Sequence, residues 1–288
     1  ETSDCVTLLD STLVSVQPTG QGSFAVCKVI KVQTPKGAVD NRVIKYDYDP
    51  LTAYAEFKHV TIYRANGKID ELDVKGTCDY AAPARAIYWG ARQIMIEVDY
   101  EIAKKGFTYA LLTAGDEDES RFIPPMRGQF YDIVPFWSNT PTVRKVYVVS
   151  IPMEKELQFQ FYQGECTSSM RYEDGCKKYS FVMNDMVPFA KEPNMVDLFD
   201  AAPKLMMSST PQWKDKSLWF NKVNEDYGSF APLPEAQKKV DELVKGKNTE
   251  MEKIAVLTHW VADNIRYSGI SMGKGEGFTL HNTKMNYT

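Results

Sequence analysis

Apolar residues recur at every second position in several stretches between about residues 10 and 185. Residues 157–162 read Leu-Gln-Phe-Gln-Phe-Tyr, and residues 94–101 read Ile-Met-Ile-Glu-Val-Asp-Tyr-Glu. A period of two is typical of a β-strand with one buried face, whereas an amphipathic helix repeats every 3.6 residues. These stretches therefore predict strands.

Tight-turn signals separate the predicted strands. Asn66-Gly67 joins Val60–Tyr63 to Ile69–Val74, and Asp174-Gly175 precedes Cys176–Val182. Both dipeptides are typical of type I′ hairpin turns. Short strands joined in this way, with few helical patterns, predict antiparallel sheets packed as a β-sandwich.

The composition changes beyond this region, and the change predicts a domain boundary. The segment that follows is interrupted by prolines, which break regular elements. They are Pro188, Pro193, Pro203 and Pro211. We predict a sandwich domain over residues 1–190, a proline-rich connector over residues 191–215, and a mainly helical segment over residues 216–288.

The helical segment contains one strongly marked helix. Thr249 and Glu252 have the spacing of a capping box, in which each residue satisfies a free amide of the other. An apolar stripe then follows at helical spacing. It consists of Ile254, Leu257, Val261 and Ile265. The short glycine-rich remainder supplies too little sequence to bury this stripe. We expect the rest of the same polypeptide, as a partner, to cover it; packing on a neighbouring molecule or on the β-domain is the alternative.

The run His259–Tyr267 resembles the helix that opens the transglutaminase-like core, a papain-like α+β fold. The segments Arg64–Lys68, Tyr100–Gly106 and Pro141–Pro152 are similar to recurring positions in one bacterial family. In that family a β-sandwich domain of unknown function precedes the core. The resemblance implies that residues 216–288 are the incomplete first part of a transglutaminase-like domain.

The same resemblance implies the activity of a cysteine enzyme. The family's cysteine nucleophile, and the histidine and aspartate that follow it, would lie beyond Thr288, so this chain alone would not catalyse. The complete protein would act on peptide or amide bonds as a protease, amidase or acyl transferase. Tyr267 matches an aromatic residue near the nucleophile and would support the oxyanion or the pocket wall; packing of Tyr267 at the helix end is the alternative.

A non-catalytic role is the alternative function. In that case the β-sandwich would bind a peptide, a glycan or a protein partner.

Other candidate sites are weaker. Three histidines are present, at positions 59, 259 and 281, and none matches the family's catalytic histidine. Gly273–Gly277 lacks the ending of a phosphate-binding loop, and Asp116–Glu119 lacks the spacing of a calcium loop. We predict neither a metal nor a cofactor.

Composition excludes some partners and leaves the compartment open. The net charge of -4 over 288 residues, without a basic run, argues against nucleic acid. No apolar stretch approaches the roughly 18 residues of a membrane span.

The resemblance implies a bacterial periplasmic, surface or secreted protein from which a signal peptide has been removed. In such a compartment, two of the five cysteines, Cys166 and Cys176, would be able to form a disulfide.

Overall fold

Strands are concentrated before Pro211 and long helices after it. The computed structural model describes residues 3–48, 50, 53–81, 92–98, 106–113, 124, 126–266 and 284. The chain divides into a β unit, Glu1–Pro211, and a helical unit, Gln212–Thr288. The described strands are β1 (Cys5–Val16), β2 (Gly22–Val32), β3 (Val43–Tyr48), β4 (Ala55–Tyr63), β5 (Ile69–Glu71), β6 (Cys78–Ala81), β7 (Arg92–Glu97), β8 (Gly106–Thr113), β9 (Tyr131–Pro135), β10 (Thr142–Pro152), β11 (Gln158–Tyr162), β12 (Thr167–Glu173), β13 (Cys176–Met186) and β14 (Lys204–Ser208). The helices are α1 (Pro35–Asp40), α2 (Leu198–Ala201), α3 (Trp213–Tyr227), α4 (Pro234–Val244) and α5 (Glu250–Asn264), with a 3-10 turn at Val74–Gly76.

One long sheet forms the frame of the β unit. Its eight strands lie in the order β12-β13-β10-β1-β2-β8-β4-β5. All of its neighbouring strands are antiparallel except β1 and β10, which are parallel. Two three-stranded sheets complete the unit: sheet II has the order β11-β14-β9, and sheet III has the order β3-β7-β6.

Sheets II and III both cover the same face of the long sheet, which we call the inner face. Phe24 packs with the residues under sheet II, and Val32 is buried among the residues under sheet III. These two residues lie eight apart on β2, so their side chains share one face. The mainly β architecture and the sandwich-like layering predicted from the sequence are confirmed.

Two apolar clusters fill the space between the sheets. The first cluster joins the inner face of β1, β10 and β13 to sheet II, with Val149, Phe181 and Leu205 at its centre. The second cluster joins β2 and β4 to sheet III through residues such as Ile62 and Ile94. The inner face of the long sheet is thus covered in two portions.

The two predicted hairpin turns have different geometries. Asp174 and Gly175 both have positive φ, 51° and 71°, as a type I′ turn requires, so this prediction is confirmed. At the other turn Gly67 has φ 88°, but Asn66 is not among the residues with positive φ, and the Gly67 amide donates to the Arg64 carbonyl. The type I′ prediction is therefore wrong there: the chain makes a type I turn followed by a left-handed glycine.

The segment predicted as a connector, residues 191–215, contributes to the β unit. It contains α2 and β14, and β14 is the central strand of sheet II. Leu205 and Met207 are buried in the first cluster. Because β14 supplies the middle of the covering sheet, the β unit extends past residue 190.

The helical unit begins with α3 and continues through α4 and α5. Pro234 occupies the first turn of α4, where its missing amide costs nothing. The predicted capping box of α5 is present: the Thr249 hydroxyl accepts from the Glu252 amide at 3.2 Å, and the Glu252 carboxylate accepts from the Thr249 amide at 2.9 Å. The Glu252 pKa is lowered chiefly by the bond from the Thr249 backbone.

Candidate functional site

The residues singled out from the sequence are not brought together in the structure. Tyr267, the residue predicted near the nucleophile, lies outside the described residues, as do His281, Gly273–Gly277 and Asp116–Glu119. His59 is exposed beside an irregularity in β4, and His259 is exposed on α5. Within the described ranges no cysteine hydrogen-bonds to a histidine.

A Cys166–Cys176 disulfide is incompatible with the structure. Cys166 precedes β12, while Cys176 begins β13 beside the turn at the other end of the same hairpin. The seven residues of β12 separate the two positions, which is a distance of roughly 20 Å. A disulfide requires Cα atoms within about 7 Å. Both cysteines are free, and so are Cys5, Cys27 and Cys78.

A row of charged residues crosses the inner face of the long sheet. Lys145 on β10, Asp10 on β1 and Lys28 on β2 lie side by side in the strand register. The Lys145 amine lies 3.0 Å from an Asp10 carboxylate oxygen, and the Lys28 amine lies 3.7 Å from the same oxygen. On β1, Asp10 lies between Val14 of the first cluster and Cys5 of the second. We call these three residues the charged row.

Lys145 is the most buried member of the charged row. It is only 9% exposed, and its amine lies 5.5 Å from the centre of the Phe136 ring. Burial lowers the pKa of Lys145 because the ammonium ion loses its hydration, and Asp10 opposes that shift. The carboxylate of Asp10 therefore stabilises the charged, buried ammonium group of Lys145.

A second buried polar contact connects the long sheet to sheet II. The Tyr147 hydroxyl donates to one carboxylate oxygen of Asp132, and the Ile133 amide donates to the other at 2.7 Å. Burial raises the pKa of Asp132, while these two donors oppose the shift. Burial also raises the pKa of Tyr147, and the charge of Asp132 raises it further. We call Asp132 and Tyr147 the inter-sheet pair.

The inter-sheet pair lies near sheet III as well. Burial raises the pKa of Tyr46 on β3, and the second cause is the charge of Asp132. Asp132 on sheet II is thus within electrostatic reach of sheet III. The charged row and the inter-sheet pair are the main concentration of buried titratable groups in the part of the chain that is described.

Such groups mark candidate functional sites, but structural ion pairs shift pKa values in the same way. Here each charge finds its partner within the set: Asp10 serves both lysines, and Tyr147 serves Asp132. The arrangement can hold protons and fix the positions of strands. Sequence reasoning missed these residues, although Lys145 and Tyr147 occupy inward positions of a strand whose other inward residues, Val149 and Ile151, are apolar.

No described group of three or more His, Cys, Asp or Glu side chains is arranged to hold a metal ion. Among the helices that the structure describes, none is long and apolar enough to cross a membrane.

Comparison with solved structures shows a shared fold over nearly the whole chain. One matching structure is a crystal structure of a Parabacteroides distasonis protein described as a putative protease, with a TM-score of 0.70 and 15% identity. The alignment covers 99% of this chain and 55% of that one, so this chain spans about half of its length. An M1 zinc metallopeptidase from Deinococcus radiodurans aligns with a TM-score of only 0.35 and 11% identity, over 72% of this chain and 42% of that one.

No curated protein sequence matches the chain significantly. The family model DUF3857, described as a domain of unknown function with a solved structure, matches residues 18–190. This match spans more than half of the sequence and most of the β unit. The chain therefore belongs to the DUF3857 family.

Proposed function

We propose that this chain supplies the accessory β unit and the opening helices of a transglutaminase-like cysteine enzyme acting on peptide or amide bonds. The run His259–Tyr267, which resembles the opening helix of that core, supports the assignment. The shared fold with the Parabacteroides distasonis protein, described as a putative protease, supports a peptidase. Export to the periplasm or cell surface is part of the proposal.

The observation that carries the proposal is the unequal burial of α5. Leu257 and Trp260 are half-buried on a helix that packs against α4. Met251, Ile254 and Val261 are 73%, 50% and 48% exposed. These three lie three and seven residues apart and border Leu257, so they belong to the same apolar side of the helix. An apolar side that α4 covers only in part fits an element of a larger domain.

The mechanism follows from the chemistry of a cysteine enzyme. A thiolate from the further part of the polypeptide would attack the amide carbonyl, expel the amine and leave an acyl-enzyme. Water then yields hydrolysis, or a second amine yields transfer. Tyr267, one residue beyond the end of the described helical segment, is proposed to support the oxyanion or the wall of the pocket.

The test uses the longest natural polypeptide that contains this sequence. We expect it to cleave fluorescent casein or to incorporate dansylcadaverine, and we expect iodoacetamide to stop the reaction while EDTA does not. Cys78→Ser is the matched control, since Cys78 is exposed and free in the β unit and should be dispensable. Activity that survives alkylation, or that only EDTA removes, would contradict the proposal.

Non-catalytic binding by the β unit is the second candidate, and one observation favours it. The terminal strand of the long sheet, β12, is exposed at all seven residues.

A further inference from the structure

The edge of the long sheet at β12 has the features of a strand-docking site. β12 is the terminal strand of the long sheet, and among the described residues it pairs with β13 alone. The register from Thr167 to Glu173 is continuous, without the bulge that often disrupts an edge. Alternate backbone amides and carbonyls along its free side therefore point away from the sheet at regular strand spacing. A second extended backbone can form hydrogen bonds with this row of amides and carbonyls.

The covering sheet stops short of β12. Phe159 on β11 contacts Tyr179 and Phe181 of β13, with ring centroids 6.0 Å and 4.9 Å apart, so β11 lies over β13. On β12, Met170 and Tyr172 lie on the same inner face but are 46% and 65% exposed. The inner face of β12 thus presents two large apolar side chains that no described strand covers.

Charges on the opposite face of β12 specify the partner further. Arg171 and Glu173 lie two residues apart on the outer face and form an exposed ion pair at 2.8 Å, and the Lys178 amine on β13 lies 3.4 Å from Glu173. Exposed pairs contribute little, so these charges can be shared with a new neighbour at little cost. A strand running antiparallel to β12 is favoured if it places an acidic residue opposite Arg171 and a basic residue opposite Glu173.

A second copy of β12 fits this pattern poorly. With full antiparallel overlap, Arg171 would lie opposite Ser169 and Met170 opposite itself, which leaves the charges unmatched. The register that places Arg171 opposite Glu173 overlaps only those residues and Tyr172. A second copy of β12 is therefore not the partner that this edge favours.

We propose that β12 binds an extended peptide by antiparallel strand addition, and that the peptide carries the pattern basic–apolar–acidic–apolar from its N-terminal end. Its apolar residues cover Tyr172 and Met170, and its charged residues face Glu173 and Arg171. This binding goes beyond the proposed catalytic function and does not depend on it, because it concerns only the β unit.

The test is fluorescence anisotropy of the 288-residue protein with labelled peptides. The matched probe is Lys-Val-Glu-Val-Thr-Val-Thr, and the charge-swapped probe is Glu-Val-Lys-Val-Thr-Val-Thr. We expect the matched probe to bind about fivefold more tightly, since two cross-strand charge pairs change sign. The double variant Arg171→Glu/Glu173→Arg should reverse that preference. Both side chains are exposed, so the variant should fold.

Backbone pairing is tested separately with N-methylated probes. Methylation at one set of alternate residues should abolish binding because those amides face β12, while methylation at the other set should leave it intact. Equal binding of both charge patterns, failure of the double variant to reverse the preference, or equal effects of both methylation sets would overturn the proposal. Absence of peptide binding together with a concentration-dependent dimer in sedimentation would also overturn it and assign the edge to a second copy.

Discussion

Replacing Tyr147 by phenylalanine tests whether the inter-sheet pair stabilises the sandwich. Tyr147 is 3% exposed and its ring packs in the first cluster, so phenylalanine preserves the apolar contacts. The substitution removes one hydrogen bond to a buried carboxylate. Hydrogen bonds to charged groups contribute about 1.5–3 kcal/mol, so we expect a loss of about 2 kcal/mol in the free energy of unfolding at pH 7.

The pH dependence of this loss separates the hydrogen bond from simple packing. Burial raises the pKa of Asp132 above the unfolded value, about 3.9. The folded protein then binds more protons than the unfolded chain between these two pKa values, so stability falls as the pH rises through that window. Without the tyrosine donor the folded pKa of Asp132 rises further and the window extends upward. The deficit of Tyr147→Phe should therefore shrink as the pH falls towards about 4 and Asp132 takes up a proton.

Guanidinium unfolding followed by circular dichroism of the β-sheet measures the deficit at both pH values. Tyr179→Phe is the matched control. Tyr179 is buried in the same cluster, and no hydrogen bond of its hydroxyl is found among the described residues, so its loss should be small. A Tyr147→Phe deficit equal to that of the control, or one independent of pH, would refute the reasoning.

Two further predictions concern the charged row and the cysteines. Asp10→Asn should lower the free energy of unfolding by about 3–5 kcal/mol, because it leaves the Lys145 ammonium buried without its carboxylate, and adding Lys145→Met should restore most of the loss. Equal losses in the single and double variants, measured by guanidinium unfolding, would contradict this role of Asp10. Alkylation of the unfolded protein without reductant should label both Cys166 and Cys176, and a disulfide-linked peptide in the mass spectrum would show that the strand register is wrong.

The sequence predicted local structure well where short-range chemistry determines it. The capping box of α5 depends on Thr249 and Glu252 alone, and the turn at Asp174-Gly175 depends on two residues that tolerate positive φ. The turn at Asn66-Gly67 was predicted with the wrong geometry, because the same dipeptide also fits a type I turn followed by a left-handed glycine. The positions at which the flanking strands end determine which of these two turn geometries forms.

The strand β14 could not be recognised in the same way. Its neighbouring prolines, Pro203 and Pro211, dominate the composition, while its own signal is only the alternation of Leu205 and Met207. Its burial depends on pairing with β9 and β11, which lie some fifty to seventy residues earlier in the chain. Prolines mark where a strand ends, and they do not exclude a strand between them.

The buried polar groups were only half predictable. An inward Lys145 and an inward Tyr147 on β10 can be read from strand alternation, and each indicates a polar partner, since buried polar groups are hydrogen-bonded. Their partners Asp10 and Asp132 depend on the parallel pairing of β1 with β10 and on the packing of sheet II. No local pattern encodes either contact.

The unequal size of the sheets accounts for both the buried charges and the open edge. Sheets II and III have three strands each, while the long sheet has eight. The two small sheets therefore leave a gap between them, which we call the seam, and they leave β12 uncovered beyond β11, a region that we call the overhang. At the seam the inner face is not sealed by a continuous apolar layer, and the long side chains of Lys28 and Lys145 can meet Asp10 there. At the overhang, β12 keeps its apolar inner side chains and its free backbone groups. A single wider covering sheet would have required apolar residues at the seam and would have covered β12. With two smaller sheets, paired charges are favourable at the seam, and an added strand is favourable at the overhang.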